Sequence, residues 1–260
     1  MNGKIWLIGG TSDSATIAQM LLDSDLPFIV TVTTKTACSL YSTDDIAVGR
    51  MNRVEMESFC RKGILAVVDA SHPYAVEVSQ SAIASAAKAN LPYLRYERVN
   101  YLSSTAIPTN ANIIELPSFD DLVAGDYLQN KRVLLTVGCK SLPLFKSWQN
   151  KAVLFARVLP KTSSLETALA AGFKSDRLIA IRPPLNRALE TALWQQWQID
   201  LVVTKASGTA GGEDVKRQVA VDLNIPLIII TRPQVVYPLQ TSVFAEVVAF
   251  CRVNSSSDRL

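Results

Sequence analysis

The chain has 260 residues, 48% hydrophobic and 19% charged, enough for one large or two small α/β domains with a sizeable core. A net charge of +3 and a pI near 8.6, with no arginine-rich run or aromatic-basic stripe, argue against a nucleic-acid-binding domain. No apolar run approaches the roughly 20 residues that span a bilayer, and the first strand starts too early for a signal peptide, so a soluble cytoplasmic protein without a membrane partner is expected.

Short β-branched runs alternate with helical patterns along the chain, which predicts parallel sheets with crossover helices. The first strand, Lys4 to Ile8, closes in Gly9-Gly10-Thr11-Ser12, and Ala15, Ile17, Ala18, Leu21 and Leu22 follow at helical spacing. A glycine loop opening a helix admits a ligand close to the backbone, and the helix dipole and its N–H groups favour phosphate. Gly9, Gly10, Thr11 and Ser12 are therefore candidate diphosphate contacts, although the run is not GxGxxG and a tight βα turn also selects glycine. The second strand, Phe28 to Thr33, ends in Thr33-Thr34-Lys35-Thr36. NAD-binding domains place an acid near that point for the ribose 2′-hydroxyl. A cation among hydroxyls suits a 2′-phosphate instead, so Lys35 predicts NADPH over NADH.

A third strand, Leu65 to Asp69, enters Asp69-Ala70-Ser71-His72-Pro73-Tyr74. Pro73 suits the first turn of the following helix, marked by Val76, Ala82, Ile83 and Ala86. Ser71 and His72, the only histidine, are thus expected on the ligand side, with Asp69 orienting His72 or binding a ribose hydroxyl. The cysteines Cys38, Cys60, Cys139 and Cys251 form no CxxC pair, so no metal site is expected. Pro92 to Tyr96 and Ile113 to Leu116 read as strands and Phe119 to Leu128 as a helix. The polar run from Gln129 to Arg132 predicts a domain boundary, with domains over 1–130 and 131–253 and a disordered tail over 254–260.

The second series reads Val133 to Val137, Val153 to Val158, Leu178 to Ile181, Leu201 to Thr204 and Leu227 to Ile230, then a helix from Val243 to Arg252. The expected fold is two doubly wound, Rossmann-like α/β domains with a cleft between them. Lys35, Arg95, Lys140, Arg157, Arg182, Lys205 and Arg232 all stand near predicted strand ends. Ligands of open α/β sheets bind outside those ends, so the series predicts an anionic ligand, though solvent exposure explains any one cation. Gly138, Lys140, Arg182, Lys205, Ser207 and Gly208 are the candidate substrate contacts of the second half. Lys205 and Arg182 would bind carboxylates there. Lys205 to Gly212 is not a Walker A loop. Trp194 and Trp197 fit core packing better than a stacking platform. Tyr127 and Lys131 match the Tyr-x-x-x-Lys of short-chain dehydrogenases, but they directly precede a new strand series. A non-enzymatic NADP-binding sensor would keep the first-half loops without an anionic pocket in the second half. Nothing in the sequence sets an oligomeric state.

Several segments together resemble the precorrin-6A reductase family of cobalamin (vitamin B12) biosynthesis, including cobalt-precorrin-6A reductases. They are Ile5-Trp6-Leu7-Ile8-Gly9-Gly10-Thr11, Val68-Asp69-Ala70-Ser71-His72-Pro73-Tyr74-Ala75, Pro92 to Arg98, Leu135-Thr136-Val137-Gly138, Val202 to Gly208 and Ile230-Thr231-Arg232-Pro233. The likeness covers almost the whole chain. It departs from the family pattern at Cys139, at Pro183 in Arg182-Pro183-Pro184, and at Ala206 and Thr209 in Lys205-Ala206-Ser207-Gly208-Thr209. The resemblance implies NADPH-dependent reduction of one double bond of (cobalt-)precorrin-6A to (cobalt-)precorrin-6B, a tetrapyrrole bearing many acetate and propionate groups. The cofactor would supply hydride, and His72, Tyr74 or water the proton.

Overall fold

The structure is a computed structural model, described here for residues 3–98 and 112–255. The chain runs β1 (Lys4–Ile8), α1 (Ser12–Asp23), β2 (Phe28–Val32), β3 (Ile46–Val48), α2 (Arg53–Cys60), β4 (Ile64–Asp69), α3 (Val76–Lys88) and β5 (Tyr93–Tyr96). It continues through β6 (Ile113–Leu116), α4 (Phe119–Ala124), β7 (Arg132–Leu135), β8 (Val153–Val158), α5 (Thr162–Ala170) and β9 (Leu178–Ala180). Then follow α6 (Arg187–Gln196), β10 (Leu201–Lys205), α7 (Glu213–Leu223), β11 (Leu227–Ile230), β12 (Gln240–Thr241) and α8 (Phe244–Ser255).

Strand periodicity builds the layers. Along β1 successive side chains point to opposite faces of the sheet. Ile5 and Leu7 join Ile17 and Leu21 of α1 and Val247 and Cys251 of α8 in one core cluster. Trp6 and Ile8 join Met56 and Phe59 of α2 and Ala82 of α3 on the other. Each such large apolar side chain contributes about 1.5–3 kcal/mol on burial. In the second sheet Leu134, Val202, Leu227 and Ile229 pack with Trp194 of α6 and Val219 of α7. Trp194 is fully buried, so core packing is its role.

The chain divides into two compact units, Met1–Val99 with Gln234–Leu260, and Asn100–Pro233. Each holds a six-stranded sheet, β12-β5-β4-β1-β2-β3 in the first and β6-β11-β10-β7-β8-β9 in the second, and every pairing is parallel. The two-domain α/β expectation is met, and the orders correspond strand for strand: β1 to β7, β4 to β10, β12 to β6. The boundary expected at 130–131 moves. Ile113 of β6 pairs with Leu227 of β11, and Gln240 of β12 pairs with Arg95 of β5, so each sheet takes its last edge strand from beyond that point. Residues 254 and 255 belong to α8, and 256–260 lie outside the described residues. The elements β3, α2 and β12 are additions to the sequence reading. Among the described residues no helix is long and apolar enough to cross a membrane.

In each sheet the strand order reverses beside the first central strand, at β1/β4 and at β7/β10, which is where doubly wound sheets bind ligands.

Candidate functional site

The turn after β1 joins the strand directly to the N-terminus of α1. Gly10 has φ 99°, open only to glycine at low cost, and an added Cβ there would meet nothing within 4 Å. Thr11 caps α1: its Oγ1 accepts the Ser14 N–H at 3.1 Å and donates to the Ala70 carbonyl at 2.8 Å. That second bond ties the β1 turn to the β4 turn. Gly10 and Ser12 are exposed, and Asp13 in the first turn of α1 is ion-paired with Arg98. One neighbour gave no sequence signal. The Tyr41 hydroxyl accepts the Gly10 N–H at 2.6 Å and lies 2.7 Å from Ser14 Oγ. Burial pushes this phenol above the usual tyrosine range.

Lys35 stands exposed beyond β2, with Thr33, Thr34 and Thr36 exposed beside it. Arg50 follows β3, the neighbour of β2, and pairs with exposed Glu77 at 2.9 Å. It lines a cavity of about 500 Å³ whose apolar wall includes Met51, Met56 and Val78. A glycine turn at a helix start, cations beyond β2 and β3, and no acid in the run after β2 together form a donor set that fits a phosphorylated dinucleotide.

The β4 turn differs from its expected role. Asp69 is fully buried and its carboxylate accepts four donors. Ser71 N and Arg95 Nη1 reach Oδ1, each at 2.9 Å, and Ser79 Oγ and Tyr93 Oη reach Oδ2 at 2.6 and 2.7 Å. Four donors fill a carboxylate's acceptor sites, so Asp69 neither orients His72 nor is left for a ribose. Burial alone would raise its pKa, but the Arg95 guanidinium and the Ser71 and Ser79 hydrogen bonds hold it below the usual carboxylate range. Arg95 lies within β5, not beyond it, and pairs with Asp69 and Glu97 as well as donating to Ser71 Oγ at 3.1 Å. Ser71 is therefore drawn into this network, and Arg95 is an internal counter-ion. His72 is exposed; its Nδ1 accepts the Tyr74 N–H at 3.2 Å, which places the proton of the neutral ring on Nε2. The His72 and Tyr74 rings lie 5.8 Å apart. Pro73 precedes the helix, which starts only at Val76.

In the second unit Lys205 ends β10, half-buried, with its ammonium 5.6 Å from the Phe119 ring centre. Burial pushes it below the usual lysine range; Cys139 opposes that shift and Lys140 adds to it. Lys205, Cys139 and Lys140 thus gather at the ends of adjacent strands β10 and β7. Gly138 has φ 79°, but a 3₁₀ segment, Cys139–Trp148, follows it where α1 follows the β1 turn. Arg157 departs from expectation. It lies inside β8 and pairs with Glu190 at 2.5 Å, both nearly fully buried. Arg182 is exposed beyond β9, an edge strand rather than a buried one. Its loop returns toward the β10 turn, since a Cβ on Gly212 would lie 3.6 Å from Pro184 Cβ.

The β10 turn is held by charges: Glu213 and Lys216, to which the sequence reading gave no role, and Arg232, which it set in the strand-end series for a ligand. Buried Glu213 accepts the Gly208 N–H at 2.9 Å and pairs with Arg217, so that N–H is not presented to a substrate. Buried Lys216 donates to the Gly211 and Gly212 carbonyls at 2.7 and 2.9 Å, and Arg232 donates to the Ala206 carbonyl at 2.8 Å. Ser207 Oγ fills the space over Gly211, where an added Cβ would lie 1.9 Å away. Tyr127 and Lys131 fall in turns after α4, not on one helix as a short-chain dehydrogenase requires.

Residues 4–252 match the family model described as precorrin-6x reductase CbiJ/CobK. A cobalt-precorrin-6A reductase of Synechocystis sp. is 44% identical, with 95% of each chain covered. One of Priestia megaterium is 33% identical over 94% of this chain and 96% of its own. Among solved structures, CobK precorrin-6A reductase superposes with a TM-score of 0.82 at 21% identity, covering 100% of both chains, which speaks for the fold. The chain therefore belongs to the precorrin-6x reductase family, oxidoreductases of cobalamin biosynthesis that act on a ring double bond.

Proposed function

We propose that the protein reduces cobalt-precorrin-6A to cobalt-precorrin-6B with NADPH. Membership in the family brings a reduced nicotinamide cofactor; its phosphorylated form and the cobalt-bearing substrate are the finer reading. The observation that carries the reading is the glycine turn at the start of α1 together with the exposed lysine beyond β2. The β1 turn offers Gly9, Gly10, Thr11 and Ser12 to a diphosphate at the start of α1, and exposed Lys35 stands where a 2′-phosphate would lie. The cobalt form follows the names of the relatives at 44% and 33% identity.

The nicotinamide supplies a hydride to one carbon of the ring double bond when bound. This chain's residues bind and orient the two partners and deliver a proton to the adjacent carbon. His72 suits that task through Nε2, with Tyr74 beside it. Lys205 and Lys140 receive acetate or propionate carboxylates, with Ser207 and Arg182 on the bordering loops. The test incubates the protein with NADPH or NADH and with cobalt-precorrin-6A or its metal-free counterpart, following absorbance. Consumption of NADPH only with the cobalt form is the expected result. Equal rates with NADH, or turnover of the metal-free ring alone, would reject the corresponding part.

A further inference from the structure

The Gly10 N–H is the donor a diphosphate needs at the β1 turn, and a tyrosine already holds it. Tyr41 Oη lies 2.6 Å from Gly10 N and 2.7 Å from Ser14 Oγ, and a Cβ on Gly9 would lie 2.3 Å from it. The phenol therefore covers Gly9 and holds the Gly10 N–H. Ser14 has one hydroxyl proton for two acceptors, the Thr11 carbonyl and the Tyr41 oxygen, each at 2.7 Å; when the carbonyl takes it, Tyr41 donates its own proton to Ser14. Its oxygen then presents only a lone pair outward. A phosphate oxygen meeting it is repelled rather than bound.

We propose that Tyr41 is a positioning residue of the nucleotide site: its hydroxyl occupies the diphosphate position at Gly10 and is displaced by the diphosphate of the incoming dinucleotide. The inference rests on the proposal that the β1 turn binds that cofactor. Tyr41 ends the segment between β2 and β3 that begins with Lys35, through the 3₁₀ turn Lys35–Leu40. One short stretch thus carries both the cation set for the 2′-phosphate and the phenol that must leave. Displacement exchanges two protein hydrogen bonds for bonds to phosphate, so the phenol weakens dinucleotide binding without preventing it.

The test measures dissociation constants of NADPH, NADH and 2′-AMP, which lacks the diphosphate, for the wild type, Tyr41→Phe and Gly10→Ala. Tyr41→Phe keeps the ring and frees the Gly10 N–H. It is expected to tighten NADPH and NADH by the same factor, roughly five- to a hundredfold for two hydrogen bonds no longer broken, and to leave 2′-AMP unchanged. A weaker or unaltered NADPH constant in Tyr41→Phe, with Gly10→Ala abolishing NADPH binding, overturns the role of Tyr41 alone. A gain shared by 2′-AMP overturns it too, because the effect would then be independent of the diphosphate. NADPH binding unchanged in both variants overturns the site at the β1 turn and this inference with it.

Discussion

The strands β4 and β10 hold the same place in their sheets and end in opposite ways. Asp69 closes β4 as a fully buried anion with four donors, one of them from Arg95 on the neighbouring strand. Lys205 closes β10 as a half-buried cation beside an aromatic ring and a second lysine. A charge at a strand end reports a ligand only where its own sheet has not already neutralised it. Asp69 and Arg95 serve the fold of the first unit, whereas Lys205 lies within the field of a second cation, Lys140, which adds to the fall of its pKa.

The largest test of this contrast is stability. Asp69→Ala strands a buried guanidinium and should cost about 3–5 kcal/mol in urea unfolding, while Lys205→Ala, at a half-buried strand end, should cost less, about 1 kcal/mol. Equal losses would break the comparison. Next comes pH. Burial, and then the Arg157 charge, push Lys216 from its ordinary 10.5 down to about 8. The unfolded chain thus binds more protons between those values, and stability should rise with pH across that window. The penalty is present below about 8 and relieved above it. Relative to Lys216→Met, the wild type should gain of order 3 kcal/mol from pH 8 to 10.5; a flat difference would show that Lys216 is not held as an unfavourably buried cation.

Smaller effects sharpen the ligand side. Lys35→Glu should weaken NADPH by roughly ten- to a hundredfold, the worth of a charged phosphate contact, and NADH hardly at all. Should Lys35→Glu spare NADPH and Arg50→Glu weaken it, the 2′-phosphate lies in the cavity beyond β3. Lys205→Ala should raise the KM for the tetrapyrrole about tenfold, as one charged hydrogen bond is lost, with the NADPH constant unmoved. Raised salt should imitate it, since charges are screened over about 10 Å at 0.1 M. A lost NADPH affinity instead would assign Lys205 to the cofactor.

Sequence carried the framework where local pattern and tertiary role agree. The β1 turn was legible because glycines, a strand and a capped helix lie within a few residues. The misread charges Arg95 and Arg157 had the same sequence appearance as Lys205. Their partners, Asp69 and Glu190, lie 26 and 33 residues away and meet them only through strand pairing and helix packing. Three-residue β3 is too short for a periodic signal, and Tyr41 lies 31 residues from Gly10 with nothing local to link them. Position within a strand, rather than beyond it, separates an internal counter-ion from a ligand contact, and strand ends are the least certain feature of a sequence reading.

The return of the chain to the first sheet after the second unit also bears on the order of assembly on the ribosome. The second unit is one continuous stretch, but the first completes its sheet with β12 and its core with Val247 and Cys251. At about 5–20 residues per second, those side chains emerge roughly 8–30 s after Val99. Until then the apolar face formed by Ile5, Leu7 and Val68 lacks its α8 cover and the β5 edge lacks a partner. A nascent chain stalled before Gln234 would carry one finished unit and one open sheet, the form in which this protein is most exposed to aggregation.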